Sequence, residues 1–214
     1  VANVLFNFRM YLLHKDAKYF DVAEVALLNN SLAGMGMAGD SFFYVNVLET
    51  DGVPTFNHGS KGRAEWFGCA CCPSNLARLI PQVSSYMYSH TDDEIYLGLY
   101  GSSRTSISMA GGEVTIQQKS DYPFDGKILL KIDPSTSQQF ALKLRIPTWA
   151  RDQFVPGKLY HYIDGLEPKW TLKVNGQAVD ASATSGFATV DRTWKPGDTV
   201  ELDLPMPVRY SKAI

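Results

Sequence analysis

Two different periods divide the chain. From Val1 to about residue 90 apolar side chains recur every three or four positions. Val1, Val4, Leu5, Phe8, Tyr11 and Leu12 form one such stripe, and Tyr19, Phe20, Ala23, Ala26 and Leu27 form a second. Lys15-Asp16 breaks the pattern between them, so the spacing predicts an antiparallel helix pair. Gly34, Gly36 and Gly39 close it, and a long irregular connection follows, with one strand-like piece, FFYVN, at Phe42 to Asn46. Leu76, Leu79, Ile80, Val83 and Met87 then mark a third helix. Pro73 suits its first turn, where a missing N–H costs nothing, whereas Pro81 is expected to kink or loosen it.

From Glu94 onward the period is two. The runs EIYLGLY, RTSISM, EVTIQQ, KILLKI, QFALKLRI, WTLKVNG, GFATVDR and DTVELDLP alternate apolar and polar residues between Gly-Gly, Asp-Gly, Asp-Pro, Asn-Gly and Pro-Gly turn signals. Eight such strands predict an antiparallel β-sandwich. The expected architecture is therefore α+β, with helices over residues 1–90 and a sandwich over 91–214.

Composition changes this picture little. With 45% apolar and 20% charged residues in 214, the chain has the material for a sizeable core. A net charge of -2, with Lys and Arg spread along the sequence, supplies no basic stripe for phosphates, so nucleic acid is not an expected partner. No run approaches the roughly 20 apolar residues that cross a bilayer, so no membrane partner is expected either. The chain opens in mid-pattern, without an N-cap residue or an initiator Met, and is read as a piece of a longer protein.

The chemistry concentrates in WFGCACCPSN, residues 66–75, which holds all three cysteines: Cys69, Cys71 and Cys72. Thiols packed this closely cannot staple a fold by long-range disulfides. They lie where a loop meets the first turn of a helix, whose unpaired N–H groups favour the thiolate needed by a nucleophile or a metal ligand. Adjacent cysteines can both reach one zinc ion, yet a closed zinc site wants four ligands and this chain has no partner pair of cysteines. A buried cysteine acting as a small apolar residue remains the plain alternative. Trp66, Phe67, Tyr44, Phe42 and Phe43 offer flat faces of the kind sugars stack on, although a helical core uses aromatics at the same density. His58 could approach the cluster through its loop, although a solvated loop histidine is the plainer reading, and Glu49 and Glu65, the nearest carboxylates in sequence, sit where surface carboxylates are usually solvated.

FFYVN, then WFGCACCPSNLARLI, then YLGLYGSS resembles the signature of glycoside hydrolase family 127, the β-L-arabinofuranosidases, over essentially the whole chain. The resemblance implies that the first 90 residues are the last helices of an (α/α)6 catalytic barrel, followed by the first sandwich. It implies a retaining glycosidase that uses Zn2+ and a cysteine thiolate nucleophile, with an arabinofuranoside or related oligosaccharide as substrate. By motif Cys71 is the nucleophile and a zinc ligand and Cys72 a second ligand, while Cys69 need not bind metal. Tyr44 is similar to a tyrosine lining the sugar pocket, and Trp66 is taken with it as substrate-binding. The family's other two zinc ligands, in a Glu-x-Cys motif, and its acid/base glutamate would lie upstream of Val1, so the 214 residues alone are expected to be inactive. Two other readings stand beside this one: a sandwich that binds carbohydrate or serves as a structural module, its thiols incidental, and a purely structural zinc site.

Overall fold

The structure, a computed structural model, describes residues 1–69 and 71–214. Helix α1 (Ala2–His14) ends where Lys15 turns left-handed, its N–H bonding the Tyr11 carbonyl, and α2 (Ala17–Ala26) starts where the Asp16 side chain caps the Lys18 N–H. The Lys15-Asp16 break is thus a C-cap followed at once by an N-cap. The second helix continues through a π turn (Leu27–Ser31) into a 3₁₀ turn ending at Gly34. Helix α3 (Cys71–Leu79) gives way to a 3₁₀ segment (Ile80–Tyr86) one residue before Pro81, whose missing N–H cannot continue the α ladder. The strand expected at Phe42 to Asn46 does not form. Phe42 makes only isolated bridges to Met35 and Ala64, because that stretch has no neighbouring strand to complete a ladder.

All eight period-two runs are strands. They are β2 (Glu94–Leu97), β3 (Ser103–Met109), β4 (Gly112–Ser120), β5 (Lys127–Pro134), β6 (Gln138–Arg145), β8 (Thr171–Val174), β11 (Phe187–Trp194) and β12 (Asp198–Asp203). Five short strands join them: β1 (Tyr88–His90), β7 (Tyr160–Tyr162), β9 (Gln177–Ala178), β10 (Ala183–Thr184) and β13 (Ser211–Ala213). One sheet has the order β1-β2-β6-β11-β10 and the other β3-β4-β5-β12-β8-β9, with β13 and β7 paired apart. The sandwich is antiparallel except at β2 and β6, which pair parallel with Ile95 opposite Leu142. The chain leaves β2 through the whole β3–β5 meander of the other sheet before returning beside it, so the two can run the same way.

The first sheet is buried on both faces. Ile95, Leu97, Phe140, Leu142, Leu144, Val190 and Trp194 point into the sandwich core. On the other face Tyr96, Leu99 and Phe187 join Val4, Tyr11, Phe20, Ala23, Leu27 and Leu79 in a second core beneath the helices. The result is three layers, helices on sheet on sheet. Contact between the helices and the first sheet is close enough to exclude a methyl group: a Cβ on Gly98 would land in the Phe20 ring, and one on Gly186 would strike Ala17.

One polar cluster lies in the interface between the helices and the first sheet. At the end of β6 the alternation puts Leu144 into the sandwich and Arg145 on the helix side, where it is fully buried. Its guanidinium bonds Asp21 at 2.7 Å and Glu24 at 2.5 Å, both on α2. Arg151 adds a second contact to Asp21 at 3.1 Å, and the Tyr100 hydroxyl donates to the Arg145 carbonyl. Burial opposes the charge on Arg145, but the two carboxylates outweigh it and hold its pKa above the ordinary value. Removing one partner of such a cluster strands the others without solvent. Arg145→Met is expected to destabilise the protein by about 3–5 kcal/mol in urea unfolding, and neutralising Asp21 and Glu24 as Asn and Gln in the same chain is expected to recover much of that loss.

Candidate active site

Three pieces of irregular chain meet at the start of α3. The first carries Tyr44, the second Asn57 and His58, and the third Phe67 and the cysteines. Cys71 and Cys72 occupy the first turn of α3, and the rest of the motif holds them there: Asn75 Nδ2 and Ser74 Oγ both donate to the Cys71 carbonyl, at 2.8 and 3.1 Å. Pro73 and Leu76 are buried beneath that turn, so the exposed Cys71 side chain projects from an anchored backbone.

All three thiols are free. Cys71 Sγ lies at the centre, 3.9 Å from Cys69 Sγ, 3.8 Å from Cys72 Sγ and 3.5 Å from the Tyr44 hydroxyl. When Cys71 is ionised the phenol donates to its sulfur. That hydrogen bond, and weaker ones from Cys72 and Cys69, lower the Cys71 pKa, and the same contact raises that of Tyr44. Cys72, half-buried and beside two other sulfurs, has its thiol pKa raised chiefly by burial. Of the adjacent pair, Cys71 is therefore the one poised as a thiolate.

Tyr44 is held from two sides. The Asn57 side chain is fully buried, and its Oδ1 accepts from the N–H groups of Tyr44 (2.8 Å) and Val45 (3.1 Å). Its Nδ2 donates to the carbonyls of Phe42 (3.2 Å) and Gly62 (2.8 Å). The Tyr44 ring meets His58 edge-on at 4.2 Å between centroids and Phe67 at 5.6 Å. Arg63 ties the loop to the end of the first helical pair by donating to the Ala33 carbonyl and lying over the Phe43 ring.

The structure thus gathers Cys69, Cys71, Cys72, Tyr44, His58 and Phe67. It leaves Trp66, 69% exposed, facing solvent while the next residue, Phe67, turns in to Tyr44. Glu49 and Glu65 are both exposed and are not among the partners of the thiols or of Tyr44 among the described residues. Asn57 was not singled out by sequence. In FNHGSKG an asparagine beside glycine reads as a turn residue, and nothing in the pattern distinguishes a buried amide from a solvated one.

The spacing of the two adjacent sulfurs bears on zinc. Two sulfurs bound to one zinc at about 2.3 Å in a tetrahedron are about 3.8 Å apart. The Cys71–Cys72 separation of 3.8 Å fits that edge. Among the described residues no group of three or more His, Cys, Asp or Glu side chains is arranged to hold a metal ion, so this pair would need further ligands.

Comparison with known proteins places the chain in a family. The model of the GH127 catalytic domain of β-L-arabinofuranosidases matches residues 1–85, and that of the GH127 middle domain matches residues 94–206. The chain belongs to glycoside hydrolase family 127. A non-reducing end β-L-arabinofuranosidase of Bifidobacterium longum subsp. longum is 34% identical to this GH127 chain, covering all of it and 31% of the relative. Among solved structures, a GH127 β-arabinofuranosidase superposes with a TM-score of 0.92 at 42% identity over 99% of the chain. A GH127 β-L-arabinofuranosidase from Geobacillus stearothermophilus T6 superposes at 0.81 and 37% over 96%. The GH127 chain described here spans about a third of the length of these relatives.

The Tyr44–Cys71 contact has a direct consequence. In metal-free protein Tyr44→Phe removes the donor that lowers the Cys71 pKa, so the thiolate should appear only at higher pH. The midpoint of iodoacetamide alkylation against pH, read on the peptide carrying Cys71, is expected to move upward; an unchanged midpoint would show that the phenol does not act on this sulfur.

Proposed function

We propose that this chain is part of a retaining β-L-arabinofuranosidase in which the Cys71 thiolate is the nucleophile and α1, α2 and α3 belong to an (α/α)6 catalytic barrel. The observation that carries the reading is the exposed Cys71 sulfur, flanked by two thiols and hydrogen-bonded by Tyr44, at the start of a helix in a GH127 chain. Relatives named as β-L-arabinofuranosidases supply the substrate class.

The chemistry is a double displacement. The Cys71 sulfur attacks the anomeric carbon and the glycosidic C–O bond breaks, its oxygen taking a proton from an acid outside the described residues. Water, deprotonated by the same group, then attacks the anomeric carbon, and sulfur leaves as thiolate. Tyr44 stabilises the thiolate in both the resting and the departing state and forms one wall of the sugar pocket, with the exposed Trp66 as an outer face of it. Cys71 and Cys72 would hold Zn2+, which supplies a positive charge that keeps the nucleophile ionised and damps its basicity as a leaving group. These residues gather no third ligand, and the 214 residues alone are proposed to be inactive.

Cys71→Ser in the full-length protein is expected to lower hydrolysis of a chromogenic β-L-arabinofuranoside by about a thousandfold or more with an unchanged circular dichroism spectrum. Retained turnover would rule out the nucleophile assignment. Chelation should abolish activity well below the melting temperature, and zinc should restore it; a structural zinc site would instead melt the protein as the metal leaves.

A further inference from the structure

The loop that carries Tyr44 has no ladder to hold it, yet the phenol has to meet one sulfur. We propose that Asn57 and His58 are positioning residues which fix the Tyr44 phenol on Cys71, one through the backbone and the other through the ring. This inference rests on the Cys71 chemistry proposed above.

Asn57 uses its whole hydrogen-bonding capacity. Two acceptor sites take the N–H groups of Tyr44 and Val45, and two donors reach the carbonyls of Phe42 and Gly62, all with the amide at zero exposure. The side chain therefore joins the Tyr44 segment to the turn at Gly62, and it also sets the position of the next residue. Asn57 and Ser60 bond each other's backbones across that turn, and within it His58 is left-handed, with φ of 49°. That region is uncommon for a residue with a side chain, and here it swings the imidazole against the Tyr44 ring at 4.2 Å. Phe67, two residues before Cys69, closes the triangle, lying 5.9 Å from His58 and 5.6 Å from Tyr44. The ring is thereby trapped between the turn below and the cysteine segment beside it, with its hydroxyl 3.5 Å from Cys71.

His58 is exposed, and its partners among the described residues are the Tyr44 and Phe67 rings, so its role is mechanical: it limits where the phenol can swing. Asn57 is the stiffer element, because a buried amide with four bonds cannot shift without losing several of them.

The test is a double-mutant cycle in the full-length protein, measured as kcat and KM on a β-L-arabinofuranoside. His58→Ala is expected to lower kcat about tenfold while KM stays within about twofold and the melting temperature is unchanged, since only the alignment of the phenol is lost. In a Tyr44→Phe background the same change is expected to lower kcat by less than about twofold, because there is no hydroxyl left to position. Asn57→Asp, which keeps the acceptors for Tyr44 and Val45, should lose less kcat than Asn57→Ala; where Asn57→Ala does not fold, the His58 cycle decides. Losses that multiply fully in the Tyr44→Phe background, or an unaltered kcat in His58→Ala, would overturn the positioning role. Turnover by Cys71→Ser would remove the underlying chemistry, whereas an inactive Cys71→Ser with a multiplicative cycle removes only this inference.

Discussion

The placement of the helix layer on the inner sheet depends on one buried guanidinium. Arg145 is the last residue of the central strand of the inner sheet, and it reaches both carboxylates that α2 turns inward. A buried ion cluster of this kind is a poor source of net stability, because desolvation consumes most of what pairing returns. Its effect is on register. Slide α2 by one turn along the sheet and Asp21 and Glu24 face apolar side chains, leaving Arg145 charged and alone. Apolar contacts are less directional than a charge pair, so they specify that register less sharply. The cluster therefore sets which turn of the helix layer lies over which strand, and α1, packed on α2 through Tyr11 and Phe20, follows.

The site obeys a different constraint. Residues 35–69 contain no strand or helix, so the hydrogen bonds that regular structure would provide come from a few side chains. Asn57 replaces a ladder with four bonds, Arg63 fastens the loop to the helical layer, and Tyr44, His58 and Phe67 hold one another by their rings. The motif around Cys71 does the same on its own side, Ser74 and Asn75 bonding back to the Cys71 carbonyl. An irregular loop and the first turn of α3 thus meet at a defined sulfur-to-oxygen distance.

What the sequence made legible follows from this division. The eight long strands and the three helices announce themselves because each presents an apolar face at a fixed period, and each is buried on that face. The five additional strands are two or three residues long, too short for alternation to register, and the parallel pairing of β2 with β6 is a property of chain path rather than of either strand's composition. FFYVN looked like a strand because its residues are strand formers, but propensity without a neighbour builds no ladder. In the site, the cysteines were visible by their crowding and Tyr44 by family resemblance. Asn57 was not, because its importance lies in being buried, which a polar residue in a glycine-rich loop does not advertise.

Scaffold and site are therefore separable in their sensitivity. The three-layer body is specified by many contacts at once, two apolar cores and one charge cluster. The loop is specified by few contacts, none of them duplicated. Such a loop contributes little to global stability, but it decides whether a phenol donates to a thiolate or merely lies nearby. In the reaction proposed above that distinction matters, because the sulfur would have to be both ionised when it attacks and stabilised when it leaves, and a hydrogen bond whose strength depends on a few tenths of an ångström serves both steps only if the donor cannot drift.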